Sequence, residues 1–98
     1  MAAYVVVEIT VTDPAGFEAY RLAVPATIAA YGGRYLVRGG RSEAVEGDWV
    51  PKRLVVLEFD SVEQARRWHG SPEYGEVRRL RENAAEFRMV IVEGVPPA

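Results

Sequence analysis

The feature that most narrows the fold is internal repetition. Twice along the chain an extended, apolar run is followed by a capped amphipathic helix and then by another extended run. The first unit comprises Val5–Val11, a helix from Pro14, and Arg34–Arg38; the second comprises Leu54–Phe59, a helix from Val62, and Phe87–Glu93. Two βαβ units in a chain of 98 residues predict a four-stranded sheet with its helices on one face. The other face is then left to be covered or used.

Alternation assigns the faces. In the first run Val5, Val7, Ile9 and Val11 point one way, and Tyr4, Val6, Glu8 and Thr10 the other. The aliphatic set belongs under the helices and the mixed set on the bare face. In the third run Val55, Leu57 and Phe59 oppose Leu54, Val56 and Glu58, which puts a second carboxylate on the bare face. In the second run Tyr35 and Val37 oppose Arg34, Leu36 and Arg38, so those arginines are expected beside Glu8 and Glu58. Gly39-Gly40 suggests a bulge or bend, after which extended structure resumes over Ser42–Val45 and turns at Glu46–Trp49. The other reading is a loop of about a dozen residues, a length that is uncommon without a function.

The helices carry their own punctuation. Asp13-Pro14 reads as N-cap and first helical residue, and Phe17, Tyr20, Val24, Ile28 and Tyr31 follow as a core stripe. Pro25 interrupts that stripe and predicts a kink or restart; Gly32-Gly33 ends it. Ser61 with Gln64 is a capping box, and Val62, Ala65 and Trp68 form a short stripe before Gly70. Ser71-Pro72-Glu73 caps a further helix whose buried side is Tyr74, Val77, Leu80 and Ala84. Arg81 then lies about 50° from that stripe, with Arg78 and Glu82 as an exposed pair. Gly94 with Pro96-Pro97 closes the domain.

Composition removes whole classes of function. Twelve basic against fourteen acidic residues leave a net charge of −2, so no field attracts nucleic acid. There is no cysteine, hence no disulfide, thiolate metal site or cysteine nucleophile. The N-terminus lacks a basic leader and meets Glu8 early, and no apolar run approaches the ~20 residues needed to span a bilayer. A cytoplasmic protein without nucleic-acid or membrane partners is expected. At this length one domain over residues 1–98 is expected, burying about 65% of its unfolded surface.

The ordered set GGRYLVRGG (Gly32–Gly40), EGDW (Glu46–Trp49), SPEY (Ser71–Tyr74) and VEG (Val92–Gly94) resembles the bacterial family known as domain of unknown function thirteen-thirty. The resemblance runs from about Tyr4 to Gly94. It implies an α+β fold: a ferredoxin-like βαββαβ subunit with an antiparallel sheet, paired through its bare face as a dimeric α+β barrel. Wider relatives include cofactor-independent monooxygenases, lactone isomerases, haem enzymes and ligand-sensing domains. The family itself has no assigned reaction, so the resemblance implies a small-molecule pocket and not its chemistry. Those monooxygenases rely on asparagine and tryptophans, whereas this chain has only Asn83, late on a helix.

Candidate sites follow, each beside its plainer explanation. Glu8 and Glu58, on neighbouring inner strands, would suit acid–base work if buried; Arg34, Arg38 and Arg53 would equally well neutralise them across strands or subunits. Tyr20, Trp49, Trp68, Tyr74 and Arg81 would suit an anionic or aromatic ligand, with Arg81 as a carboxylate fork. Core filling explains both tyrosines and Trp68; a partner subunit explains Trp49. His69 is the only histidine and reads as an exposed helix-end residue rather than a haem ligand. Ser71 already caps a helix, which argues against a hydrolase triad, and no metal-ligand spacing is present. The expected protein is a homodimer binding an unidentified small organic molecule without a cofactor, its catalytic version a cofactor-free isomerase or oxygenase-like enzyme. The competing expectation is a sensor or accessory dimer whose face charges only pair subunits.

Overall fold

The alternation of the first run is realised as β1 (Ala3–Val11), whose residues Ala3, Val5, Val7 and Ile9 are buried. In the computed structural model the remaining elements are α1 (Pro14–Ala30), β2 (Arg34–Arg38), β3 (Leu54–Phe59), α2 (Val62–His69), α3 (Pro72–Arg79) and β4 (Ala85–Glu93). The structure describes residues 1–96; Pro97, read above as part of the closing proline pair, lies outside them. The sheet order is β2-β3-β1-β4 with every neighbouring pair antiparallel. This is an α+β, ferredoxin-like arrangement, with β1 and β3 innermost.

The core forms where the aliphatic sets of β1 and β3 meet the helices. Val5, Val7, Ile9, Leu57 and Phe59 pack against Phe17, Tyr20, Val24 and Ile28 of α1 and against Ala65, Trp68 and Tyr74. Each such aliphatic or aromatic side chain contributes roughly 1.5–3 kcal/mol by leaving water. Gly33 lets the chain leave α1 in contact with this layer: a Cβ there would lie 2.5 Å from the Phe59 ring.

Several local expectations are corrected. Pro25 does not restart α1, which is helical throughout Pro14–Ala30. Asp13 occupies the N-cap without a side-chain hydrogen bond. The capping box is half made: Ser61 Oγ accepts from the Gln64 N–H at 3.0 Å, but Gln64 Nε2 donates to the Tyr31 carbonyl at 2.8 Å. Helix α3 stops at Arg79, and the chain continues in tighter turns, Leu80 N–H to Val77 O and Ala84 N–H to Arg81 O. Leu80 is therefore exposed rather than buried, Ala84 still reaches the core, and no Arg78–Glu82 ion pair forms among the described residues. Asn83, with φ 63°, takes the left-handed conformation that aims the chain into β4.

The end of the first unit is also different. No strand resumes after Gly39: residues 39–53 form a long irregular connection, as in the loop reading. The bulge lies inside β2 rather than at Gly39-Gly40. Tyr35 pairs with Leu57 and Val37 with Val56, leaving Leu36 as the extra residue. Side-chain parity flips across it. Arg34 sits opposite Glu58 on the bare face, but Arg38 sits opposite Val55 and faces the helices.

Candidate functional site

A narrow cavity of about 30 Å³, partly open to solvent, lies between α1 and the sheet. Its floor is Val7, Ile9, Val55 and Leu57, the helix-facing residues of the inner strands. Helix α1 contributes Phe17, Tyr20 and Val24, and the outer strands contribute Tyr35 from β2 and Phe87 and Met89 from β4. The rings form a continuous wall: Phe17 and Tyr20 centroids are 5.5 Å apart, and Tyr20 meets Phe87 edge-on at 5.4 Å.

Two arginines close this apolar wall on the β2–β3 side. Arg38, turned inward by the bulge, lies 4.7 Å over the Tyr35 ring, and its Nη2 donates to the Arg21 carbonyl at 2.7 Å. Arg53 precedes β3, and its carbonyl accepts from the Ile9 N–H, so it stands opposite an inward-facing residue. Its guanidinium lies 5.9 Å from the Phe17 ring. Gly39, at φ 72°, makes room for it; a Cβ at that position would collide with Arg53 Nη1. On the far side of the wall Arg81 stacks on Phe87 at 3.6 Å and reaches within 5.6 Å of Tyr20. The inward position expected for Arg81 is thus reached, although it lies beyond the helix that suggested it.

Among the described residues none of these three guanidinium groups has a carboxylate within 4.0 Å. Arg53 Nε and Arg81 Nε are buried without a hydrogen-bond partner. The cavity wall contains no aspartate, glutamate or histidine. Burial holds the Tyr20 hydroxyl far above the ordinary phenol range, and the neighbouring Tyr74 adds to it. Burial also raises Tyr35, opposed by the charges of Arg38 and Arg53.

The remaining expected ligand residues of the helix side are core. The hydroxyls of Tyr20 and Tyr74 share a hydrogen bond at 3.0 Å. Trp68 is 1% exposed; it touches the cavity from below, and its indole N–H donates to Thr27 Oγ1 at 3.0 Å. His69 is half-buried rather than exposed, its ring 5.5 Å from that of Tyr74. Burial lowers its pKa below 6.5, with Arg78 and Arg81 adding to the shift. Ser71 caps α3, accepting from the Tyr74 N–H at 3.1 Å and donating to the Trp68 carbonyl at 2.7 Å. No group of three or more His, Cys, Asp or Glu residues is placed to hold a metal ion among the described residues.

The bare face holds the other candidates, so the sheet divides the set. Glu58 pairs with Arg34 at one end. At the other end Glu8 accepts from the Trp49 indole at 3.3 Å and faces Arg88 at 3.7 Å. Glu58 lies opposite Tyr4, four positions along β1 from Glu8. At ~3.4 Å per residue that is about 14 Å. The two carboxylates therefore do not form an acid–base pair, and Arg38 and Arg53 neutralise neither. Between the ends the face is apolar, with Val90 56% and Val92 46% exposed. The loop tip at Trp49 folds onto this face but leaves the indole 63% exposed.

From the sequence Phe17 is a core-stripe residue and Tyr35 and Phe87 are strand residues only; their grouping at one cavity depends on the bulge and on the register of β4. Gly39 carried a usable signal, since glycine next to an arginine-bearing strand often marks a close approach.

A family model described as Domain of unknown function (DUF1330) matches residues 2–95. No curated protein matches the chain in sequence. Among solved structures, a protein of unknown function from Rhodopseudomonas palustris superposes with TM-score 0.73 at 17% identity, covering 98% of this chain and 84% of its own. A dimeric ferredoxin-like protein of unknown function from Jannaschia sp. CCS1 gives 0.68 at 10% identity, covering 96% and 100%. SnoaB, a cofactor-independent oxygenase from Streptomyces nogalater, gives 0.66 at 15% identity, covering 98% and 95%. At these identities the likeness is one of fold.

Proposed function

The chain belongs to the family of unknown function DUF1330, and we propose that it works as a homodimer that holds a small organic molecule between its helices and its sheet. One observation carries the binding part: Arg38 and Arg53 border an apolar, aromatic cavity with no carboxylate to neutralise them. Two cations at such a wall, without a counter-charge in the protein, favour an occupant from outside. The accessory-dimer reading explains Arg34–Glu58 and Glu8–Arg88 but leaves the buried Arg53 Nε without a partner.

The pairing part rests on the bare face. Its apolar centre around Val90 and Val92, flanked by charges of both signs, suits self-association about a two-fold axis. A dimer of this fold is described for the Jannaschia protein, which adds support by likeness. Of the two catalytic versions, an isomerase needs a general base beside the ligand. The cavity lining supplies no carboxylate or histidine, and burial keeps the Tyr20 hydroxyl protonated. An oxygenase-like reaction of the kind named for the Streptomyces neighbour fits better, on a ligand that brings its own ionisable group.

Native mass spectrometry of the purified protein tests both parts. A dimer carrying a discrete small-molecule adduct is the expected result. A monomer overturns the pairing; a bare dimer that also takes up no added aromatic compound overturns the cavity.

A further inference from the structure

The narrow cavity also limits what the single subunit can hold by itself. We infer that it is a site for one monatomic anion, chloride being the abundant one, held by Arg53 and Arg38 under α1. This goes beyond the reading above: it needs only the room within one subunit and stands whether or not an organic molecule binds at the open end.

Size comes first. About 30 Å³ exceeds the ~10–15 Å³ that one water-sized guest needs and leaves no room for a ring, a phosphate or a sulfate. A chloride ion is a single sphere only a little larger than water. A buried donor without a protein partner is commonly satisfied by an ordered water or an ion, and Arg53 Nε is such a donor.

Chemistry decides between the two. Among the described residues the lining holds three arginines and no aspartate, glutamate or histidine. Arg21 is already engaged by Glu18 on the surface of α1. Arg53 is half-buried, and Gly39 leaves the space its guanidinium occupies, since a Cβ there would collide with Nη1. Arg38 is exposed and meets the cavity from its open side, with one N–H spent on the Arg21 carbonyl and others still to give. The side chains of the wall therefore offer donors and positive charge but no carboxylate or amide oxygen. A water there would have to spend its own hydrogens on rings and hydroxyls, whereas an anion needs donors alone. The open side keeps the cost of desolvating the ion below that of a sealed interior.

The test is thermal unfolding of the full chain in sodium chloride and in sodium gluconate at equal ionic strength, repeated on Arg53→Gln. Crystals grown from sodium bromide locate the ion. Gluconate is too large to enter, and as the more strongly excluded solute it favours the folded state, so general salt effects oppose the expected order. Chloride should raise Tm over gluconate by at least about 4 °C, the shift for an ion present at several times its Kd. Arg53→Gln should remove the difference, and bromide should give one anomalous peak between Arg38 and Arg53. Equal Tm in the two salts overturns the anion and leaves a water at Arg53; a bromide peak without a Tm difference is binding at crystal concentration only and does the same. A difference that survives in Arg53→Gln, or a peak elsewhere, overturns the assignment to this cavity. None of these results bears on an organic guest, which is read from the native adduct. Circular dichroism establishes that the variant folds; if it does not, the two salts and the bromide peak on the unaltered chain decide.

Discussion

Pro25 and Arg38 complete each other across the space between α1 and β2. Proline has no N–H to give the carbonyl four residues back, and that carbonyl, on Arg21, accepts instead from Arg38 Nη2 at 2.7 Å. The helix stays continuous because a side chain from the neighbouring strand supplies the missing donor. An arginine at the cavity mouth is thereby fixed in direction before any ligand arrives.

That relationship predicts a measurable coupling. Arg38→Met should destabilise the protein by about 0.5–1.5 kcal/mol, the net range for losing one hydrogen bond at an exposed site. In a Pro25→Ala background the same change should cost clearly less, because the alanine restores a backbone N–H for the Arg21 carbonyl. Urea unfolding of the two single variants and the double variant gives the coupling energy. Strict additivity would show that the two residues act independently.

Thr27 Oγ1 accepts from the buried Trp68 indole N–H, and it also donates to the Val24 carbonyl at 2.8 Å. Thr27→Val keeps the shape and strands the N–H at a site 1% exposed. A loss of about 1–3 kcal/mol is expected from equilibrium unfolding. Thr27→Ser, which keeps the hydroxyl, should recover most of it.

Val90 lies on the bare face and is 56% exposed in the single chain. Val90→Asp should leave the subunit folded, since the side chain is not core, yet set two like charges into the proposed interface. Analytical ultracentrifugation should then report a monomer. A persistent dimer would place the contact elsewhere.

His69 predicts how stability responds to pH. Burial, with Arg78 and Arg81 nearby, holds its folded-state pKa below the unfolded value of 6.5. The unfolded chain therefore binds the proton first, and stability rises with pH through this window. The contribution is complete above about pH 6.5 and is lost as pH falls through it towards the folded-state pKa. Tm should drop between about pH 7 and pH 5.5, above the main carboxylate range. Because this is the only histidine, His69→Asn should flatten that segment of the curve.

The architecture was legible because each strand has two distinguishable faces. Alternation in β1 and β3 placed Val5, Leu57 and Phe59 inside and Glu8 and Glu58 outside, as observed. Caps at Ser61 and Ser71 located both later helices. The site was less legible because it depends on register. Nothing in RYLVR announces that Leu36 is the unpaired residue, since Arg34, Leu36 and Arg38 alternate as an unbroken strand would. The resulting parity error put Arg38 with the bare-face carboxylates. Strand adjacency likewise suggested that Glu8 and Glu58 meet, whereas antiparallel pairing sets them at opposite ends. Ring size and charge identified Tyr20 and Arg81 as residues of interest; only tertiary packing brings Phe17, Tyr35 and Phe87 to the same opening.

The unpaired Leu36 also bears on how such a protein diversifies. Arg34 and Arg38 are four residues apart, yet one lies on the bare face beside Glu58 and the other borders the cavity under α1. Deleting Leu36 would make the pairing even without moving either arginine, because Val37 would still meet Val56 and Arg38 would still meet Val55. The strand can therefore lose this residue and keep one cation on each side of the sheet. The bulge is the place in β2 where length, rather than charge, is free to vary.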